Sequence, residues 1–219
     1  MLHYLENLFH ALDFASLGDA ALRMAAVLLC LTVHETCHGL AAYALGDPTA
    51  RSRHRLSLNP LRHIDWFGLL MMFTVGFGWA KPVPVDPRYF KRPKEGMALT
   101  ALAGPVSNIL LAALAIGFSK VIYLFGYYHP ALEAVFAFCL YVLAPLSVGL
   151  GLFNLLPIPP LDGAKVLGAL LPDETYFRIM RYERYGMLLL ILLSFTGVGG
   201  GFINRGIMAV YGGLFNLFY

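Results

Sequence analysis

Residues 21–45 read ALRMAAVLLCLTVHETCHGLAAYAL, with HETCHG at 34–39. The run is apolar, free of Pro and Gly until Gly39, and long enough as a helix to cross a hydrocarbon layer, which needs about 20 residues. On that helix His34 and His38 are four apart and project from one face, a turn from each other. Two imidazoles so placed can share one Zn2+. Glu35 points to the side of the pair, where it can take a proton from water without binding the metal. Two His and one Glu in the apolar part of such a helix are costly unless they serve a purpose.

The whole chain agrees with that setting. Of 219 residues, 58% are hydrophobic and only 13% charged, and the mean hydropathy is +0.67. Soluble domains carry about a quarter charged residues, so an all-α polytopic membrane protein is expected, as a single membrane-embedded domain over 1–219. Glu6, Asp13 and Asp19 stand where a signal peptide would be basic, so no cleavable signal is expected. Cys30, Cys37 and Cys139 fall in apolar stretches and read as small packing residues, not as a disulfide or zinc framework.

Outward from HETCHG, residues 1–18 predict a short amphipathic helix on the membrane surface, with Leu2, Leu5, Phe9 and Leu12 at helical spacing. The first span runs from about 20 to 45 and ends at Gly46, Asp47 and Pro48. A basic loop follows, then WFGLLMMFTVGFGWA (66–80), too short to span and suited to a re-entrant element. The alternating Pro and Val of the 79–86 stretch predict extended backbone beside the site, with an edge that a substrate strand could join. Further spans are expected from about 97 to 125 and from about 131 to 153. A catalytic core over 20–185 is thus expected, built on three transmembrane helices. Residues 186–219 then form one or two C-terminal helices, one of them starting near Tyr185. Of the 16 Lys and Arg, four lie in 51–62, five in 81–94 and four in 165–184. Basic loops stay on the cytoplasmic side, so the site is expected toward the cytoplasmic face of the cell membrane.

Two His leave a catalytic zinc short of a ligand, since such sites use three protein ligands and one open position. Asp162 is the best candidate: it follows Pro157, Pro159 and Pro160, which end the third span, at a similar depth. Alternatively it caps a helix starting at Gly163. Gly104 would let the second span approach the first. Asn108 and Asn154 could donate to an oxyanion or hold helices together. His54 and His63 lie in the basic loop without a helical partner, so solvated or hydrogen-bonded roles are expected. That loop directly follows a span, which favours anionic lipid over nucleic acid as its partner.

HETCHG on a membrane helix, GPVSN at 104–108 and NLLPIPPLDG at 154–163 together resemble the site-2 protease family of intramembrane zinc metalloproteases. RLSLNPLRHID and GWAKPVPV are similar to its short bacterial branch, for which no PDZ or CBS domain is expected. The resemblance covers roughly residues 20–185. It implies that His34, His38 and Asp162 bind one Zn2+ per chain and that Glu35 is the catalytic acid/base. It also implies cleavage of a peptide bond within or beside a transmembrane segment of a membrane-protein substrate. This chain departs from the family at Cys37 and at HIDWFG, where a proline usually follows HID. The competing reading is a membrane zinc transporter or metal sensor using the same ligands, which would have no need of Glu35.

Overall fold

In the computed structural model, residues 17–75, 78–126, 129–181, 185–186, 188–190, 192 and 200–219 are described. Helix α1 spans Leu17–Ala44, α2 Trp66–Val75, α3 Pro93–Phe125 and α4 Pro130–Asn154. Three shorter or later helices follow: α5 at Asp162–Gly168, α6 at Asp173–Arg181 and α7 at Gly200–Phe218. Among the described residues the only β pairing is a single antiparallel bridge between Ile64 and Ala80. The chain is an all-α polytopic membrane protein: α1 from Gly18, α3 and α4 are long and apolar enough to span.

These boundaries follow from local chemistry. Helix α3 starts four residues earlier than the apolar run suggests, because Pro93 is pre-set for the first helical position. In HIDWFG the missing proline is covered by another device. Asp65 Oδ1 accepts from the amides of Phe67 at 3.0 Å and Gly68 at 2.9 Å, which caps α2. Helix α2 has ten described residues, too few to span. The proline-rich stretch after Asn154 leaves helical geometry and includes a cis Pro159–Pro160 bond. Helix α6 has Asp173 and Glu174 in its first turn and Arg178 and Arg181 in its last, charges that complement the helix dipole. The expected surface helix lies outside the described residues except for its last two positions, which open α1. Of the helix expected from Tyr185, residues 185–186, 188–190 and 192 are described and are helical.

The chain divides into two compact units, with boundaries inside all three spanning helices. One comprises the described residues of Met1–Cys30, with Asn108–Leu152 and Gly200–Tyr219. Its core is built from small and branched side chains: Ala26 and Cys30 of α1, Ala112 and Ile116 of α3, Ala144 and Val148 of α4, Ile207 of α7. Small residues let helix backbones approach closely, which is how helices associate in lipid. Hydroxyls add bonds between helices. Ser147 Oγ donates to the Asn108 carbonyl at 2.7 Å, and Tyr211 Oη donates to the Leu140 carbonyl at 3.0 Å. Leu140 lies in a π-helical turn, Phe138–Leu143, within α4.

The other unit comprises the described residues of Leu31–Ser107 and Phe153–Gly199. It holds the second half of α1, the start of α3, helices α2, α5 and α6, and the non-helical strap Lys81–Asp86. Asp47, fully buried, organises it. Its carboxylate accepts from the Thr49 amide at 2.9 Å, the Thr49 hydroxyl and the Asp86 amide at 2.7 Å. The turn after α1 is thereby tied to the end of the strap. Lys94 at the start of α3 bonds the Leu171 carbonyl and pairs with Asp173 at 3.0 Å, which docks α6.

Candidate metal centre

Within this second unit, α1 carries His34 and His38 on one face, with ring centroids 4.5 Å apart and planes perpendicular. Helix α5 begins at Asp162, preceded by Leu161 as N-cap without a side-chain cap bond. Asp162 is therefore not a capping residue. Its Oδ2 lies 3.1 Å from His34 Nε2 and 3.1 Å from His38 Nε2. All three residues are buried, and their donor atoms lie within 4.8 Å of one another.

The donor set fits a zinc ion. Tetrahedral Zn2+ with N and O ligands at about 2.0–2.1 Å separates its donors by roughly 3.4 Å, close to the two 3.1 Å edges seen here. His38 Nδ1 donates to the Thr100 carbonyl at 2.7 Å, which directs Nε2 toward Asp162 and His34. Gly104 keeps the space clear: a Cβ there would fall 2.5 Å from His38 Nε2 and 2.6 Å from His34 Nε2. The neighbouring Pro105 sits inside α3, where it cannot supply the amide that its turn of helix calls for.

Burial alone pushes the Asp162 carboxyl up, but hydrogen bonds and charge from His34 and His38 outweigh it and hold the group below the ordinary carboxylate range. The other carboxylate oxygen, Oδ1, lies 3.9 Å from Lys165 Nζ.

Glu35 stands outside this cluster. Its Oε2 accepts from the Val83 amide at 2.8 Å, so the strap lies against the helix that carries the two imidazoles. Gly39 permits that approach, since a Cβ there would fall 3.1 Å from Val83 Cγ1 and 2.5 Å from Leu56 Cδ2. The strap ends at Asp86, which caps a 3-10 turn, Pro87–Tyr89. Hydrogen bonds from the Arg88 side chain and amide hold the half-buried Asp86 carboxyl down at about 2.

Of the remaining candidates, Asn154 closes α4 in the same unit and is half-buried. Asn108 belongs to the other unit, fully buried, where its main-chain carbonyl takes the Ser147 bond. His63 is buried with Nε2 2.7 Å from the Ser57 carbonyl, and His54 is exposed at a positive φ of 52°. Neither joins a metal-binding group among the described residues. The three cysteines are free.

Three contributors escaped the sequence reading: the Thr100 carbonyl, the Val83 amide as a partner of Glu35, and buried Asp47. Asp47 was visible only as part of a helix-ending Gly-Asp-Pro. The two main-chain groups have no side-chain signature.

Comparison with known proteins places the chain in a family. Residues 118–195 match the model of peptidase family M50. Over 180 residues the chain is 38% identical to the Bacillus subtilis protein named "Putative zinc metalloprotease YwhC", covering 79% of this chain and 80% of that one. It is 29% identical over 184 residues to a protein of the same description, Rip2, from Mycolicibacterium smegmatis, covering 82% of this chain and 68% of the relative. The Mycobacterium tuberculosis Rip2 is 31% identical over 182 residues, with 80% and 67% covered. No solved structure matches the chain significantly. The chain belongs to peptidase family M50, the site-2 protease family.

Proposed function

We propose that this protein is an intramembrane zinc endopeptidase that hydrolyses a peptide bond within or beside a transmembrane segment of a membrane-protein substrate. The observation that carries the proposal is the convergence of His34 Nε2, His38 Nε2 and Asp162 Oδ2, with Glu35 on the same helix but outside the ligand set. His34, His38 and Asp162 would hold one Zn2+ per chain. Zn2+ supplies Lewis acidity there, polarising the scissile carbonyl and acidifying water.

Glu35 does the proton work. The Val83 amide holds Oε2 and orients the carboxylate, leaving Oε1 to accept the proton of the attacking water. Glu35 then delivers that proton to the leaving amine nitrogen, which prevents the amine from re-attacking. The non-helical strap offers extended backbone on the flank of the site. A substrate helix bonds its own backbone internally and must open before attack, and pairing with an extended strand is one way to hold the opened segment. Asn154, in the site unit, is the side chain we assign to the developing oxyanion. Asn108 we assign to holding its helix in place, alongside Ser147.

The distribution of Lys and Arg supports a cytoplasmic position for the site in the cell membrane. The test is a quantitative comparison of membrane proteomes from cells carrying the wild-type chain or Glu35→Gln. Intact transmembrane proteins should accumulate with Glu35→Gln, and their shortened products should disappear. Identical proteomes, with zinc uptake still supported by Glu35→Gln, would point to transport instead.

A further inference from the structure

The second unit carries a concentration of positive charge that the proposed hydrolysis does not use. Arg53, Arg55, Arg62 and Lys81 line a cleft of about 380 Å³ together with Leu61 and Trp66. Among the described residues, no Asp or Glu lies within ion-pair distance of any of these four cations. The nearby carboxylate of Asp65 is engaged by the amides of Phe67 and Gly68. Uncompensated like charges repel one another, so four gathered around one cleft favour an anion between them.

The walls are held in place. Arg55 Nη2 donates to the Lys81 carbonyl at 2.8 Å and the Pro82 carbonyl at 3.3 Å. Arg62 Nη1 donates to the His54 carbonyl at 2.5 Å, and the Lys81 amide to the His63 carbonyl at 2.9 Å. Arg55 Nε is buried with no hydrogen-bond partner among the described residues. Guanidinium groups suit phosphate oxygens in particular.

The rim identifies the kind of anion. Trp66 is 72% exposed, Leu61 67% and Phe67 62%. Apolar side chains standing out beside a cationic cleft match a ligand with a charged head and an apolar body, and Trp is at home at the level of lipid headgroups. A general attraction of a basic loop to an anionic surface would require neither the cleft nor the apolar rim. We propose that this cleft binds the headgroup phosphate of one anionic phospholipid, with Trp66, Leu61 and Phe67 against its acyl chains.

The test uses the full chain in a neutral detergent, with native mass spectrometry and titration of dihexanoyl phosphatidylglycerol. The proposal expects one saturable phosphatidylglycerol site, at least about tenfold tighter than for dihexanoyl phosphatidylcholine and weakened by salt. The double variant Arg53→Gln, Lys81→Gln should weaken it at least about tenfold. Both side chains are exposed and form no hydrogen bond among the described residues, so the fold has no stake in them. Lys81→Arg should keep the affinity, and Arg178→Gln in α6 should leave it unchanged. Equal binding of the two lipids, or no effect of the double variant, would overturn the proposal. So would glycerol 3-phosphate binding as tightly as phosphatidylglycerol, which would mean a soluble phosphate ligand. Displacement of the lipid by a hexaglutamate peptide of higher affinity would overturn it in favour of an acidic protein segment.

Discussion

The unit containing Asn108 and the unit containing His34 are stabilised in different ways. In the first, Ala26, Ala112, Ala144 and Ile207 bring helices together, and isolated hydroxyls such as Ser147 add single neutral bonds to main-chain carbonyls. In the second, a fully buried carboxylate, Asp47, gathers three donors, and two imidazoles and another buried carboxylate converge in one place. A neutral bond between membrane helices contributes about 0.6–2 kcal/mol. A buried charge without partners costs several kcal/mol. The first unit can therefore lose any one polar contact cheaply, whereas each polar group of the second depends on its neighbours. The contrast teaches where a metal-binding group can be assembled: in the unit whose polar groups are already oriented by one another.

The largest effects should come from breaking the convergence itself. Purified protein should contain about one Zn2+ per chain by elemental analysis, and His34→Ala, His38→Ala or Asp162→Ala should each lose most of it, because a three-ligand site retains little affinity with two. Full zinc in Asp162→Ala would remove α5 from the site.

Gly104→Ala asks whether space, as well as ligands, is needed. Its Cβ would fall 2.5 Å from His38 Nε2, so zinc affinity should drop by about 10–100-fold, the range for disturbed outer-shell partners. The helix itself should survive, since Ala is the better helix former. Wild-type zinc affinity in this variant would mean that α3 can move away without consequence.

A smaller effect measures the difference between the units directly. Asp47→Ala leaves the Asp86 and Thr49 amides without their acceptor and should destabilise the protein by about 2–4 kcal/mol. Ser147→Ala should cost no more than about 0.6–2 kcal/mol. Thermal unfolding in the same detergent compares the two; equal losses would erase the contrast.

Much of this was legible in residue types and spacing. The three spans emerge from apolar length, and His34 with His38 from the i,i+4 rule. Asp162 stood out because prolines end a helix just before a carboxylate that needs a partner. What choice remained for Asp162, cap or ligand, depended on whether the helix starts at 162 or 163, and one residue is finer than propensity resolves. The Thr100 and Val83 contacts were hidden for a different reason. Every residue has an amide and a carbonyl, so nothing in a sequence marks the ones a site uses. Asp47 was hidden because a Gly-Asp-Pro turn reads as solvent-facing, and its burial arises only when the strap, 39 residues later, folds back to it. Asn108 and Asn154 look alike in sequence, yet they belong to different units.

The central claim is that His34, His38 and Asp162 hold the metal while Glu35 moves the proton. Glu35→Gln separates the two, because it keeps size and the bond from the Val83 amide but removes the base. The decisive measurement is cleavage of a purified substrate in detergent, with zinc content determined on the same sample. The account predicts full zinc, intact substrate capture and cleavage slower by at least about a hundredfold. Near-normal cleavage with zinc bound would contradict it, and loss of zinc together with activity would make Glu35 a ligand or a structural support.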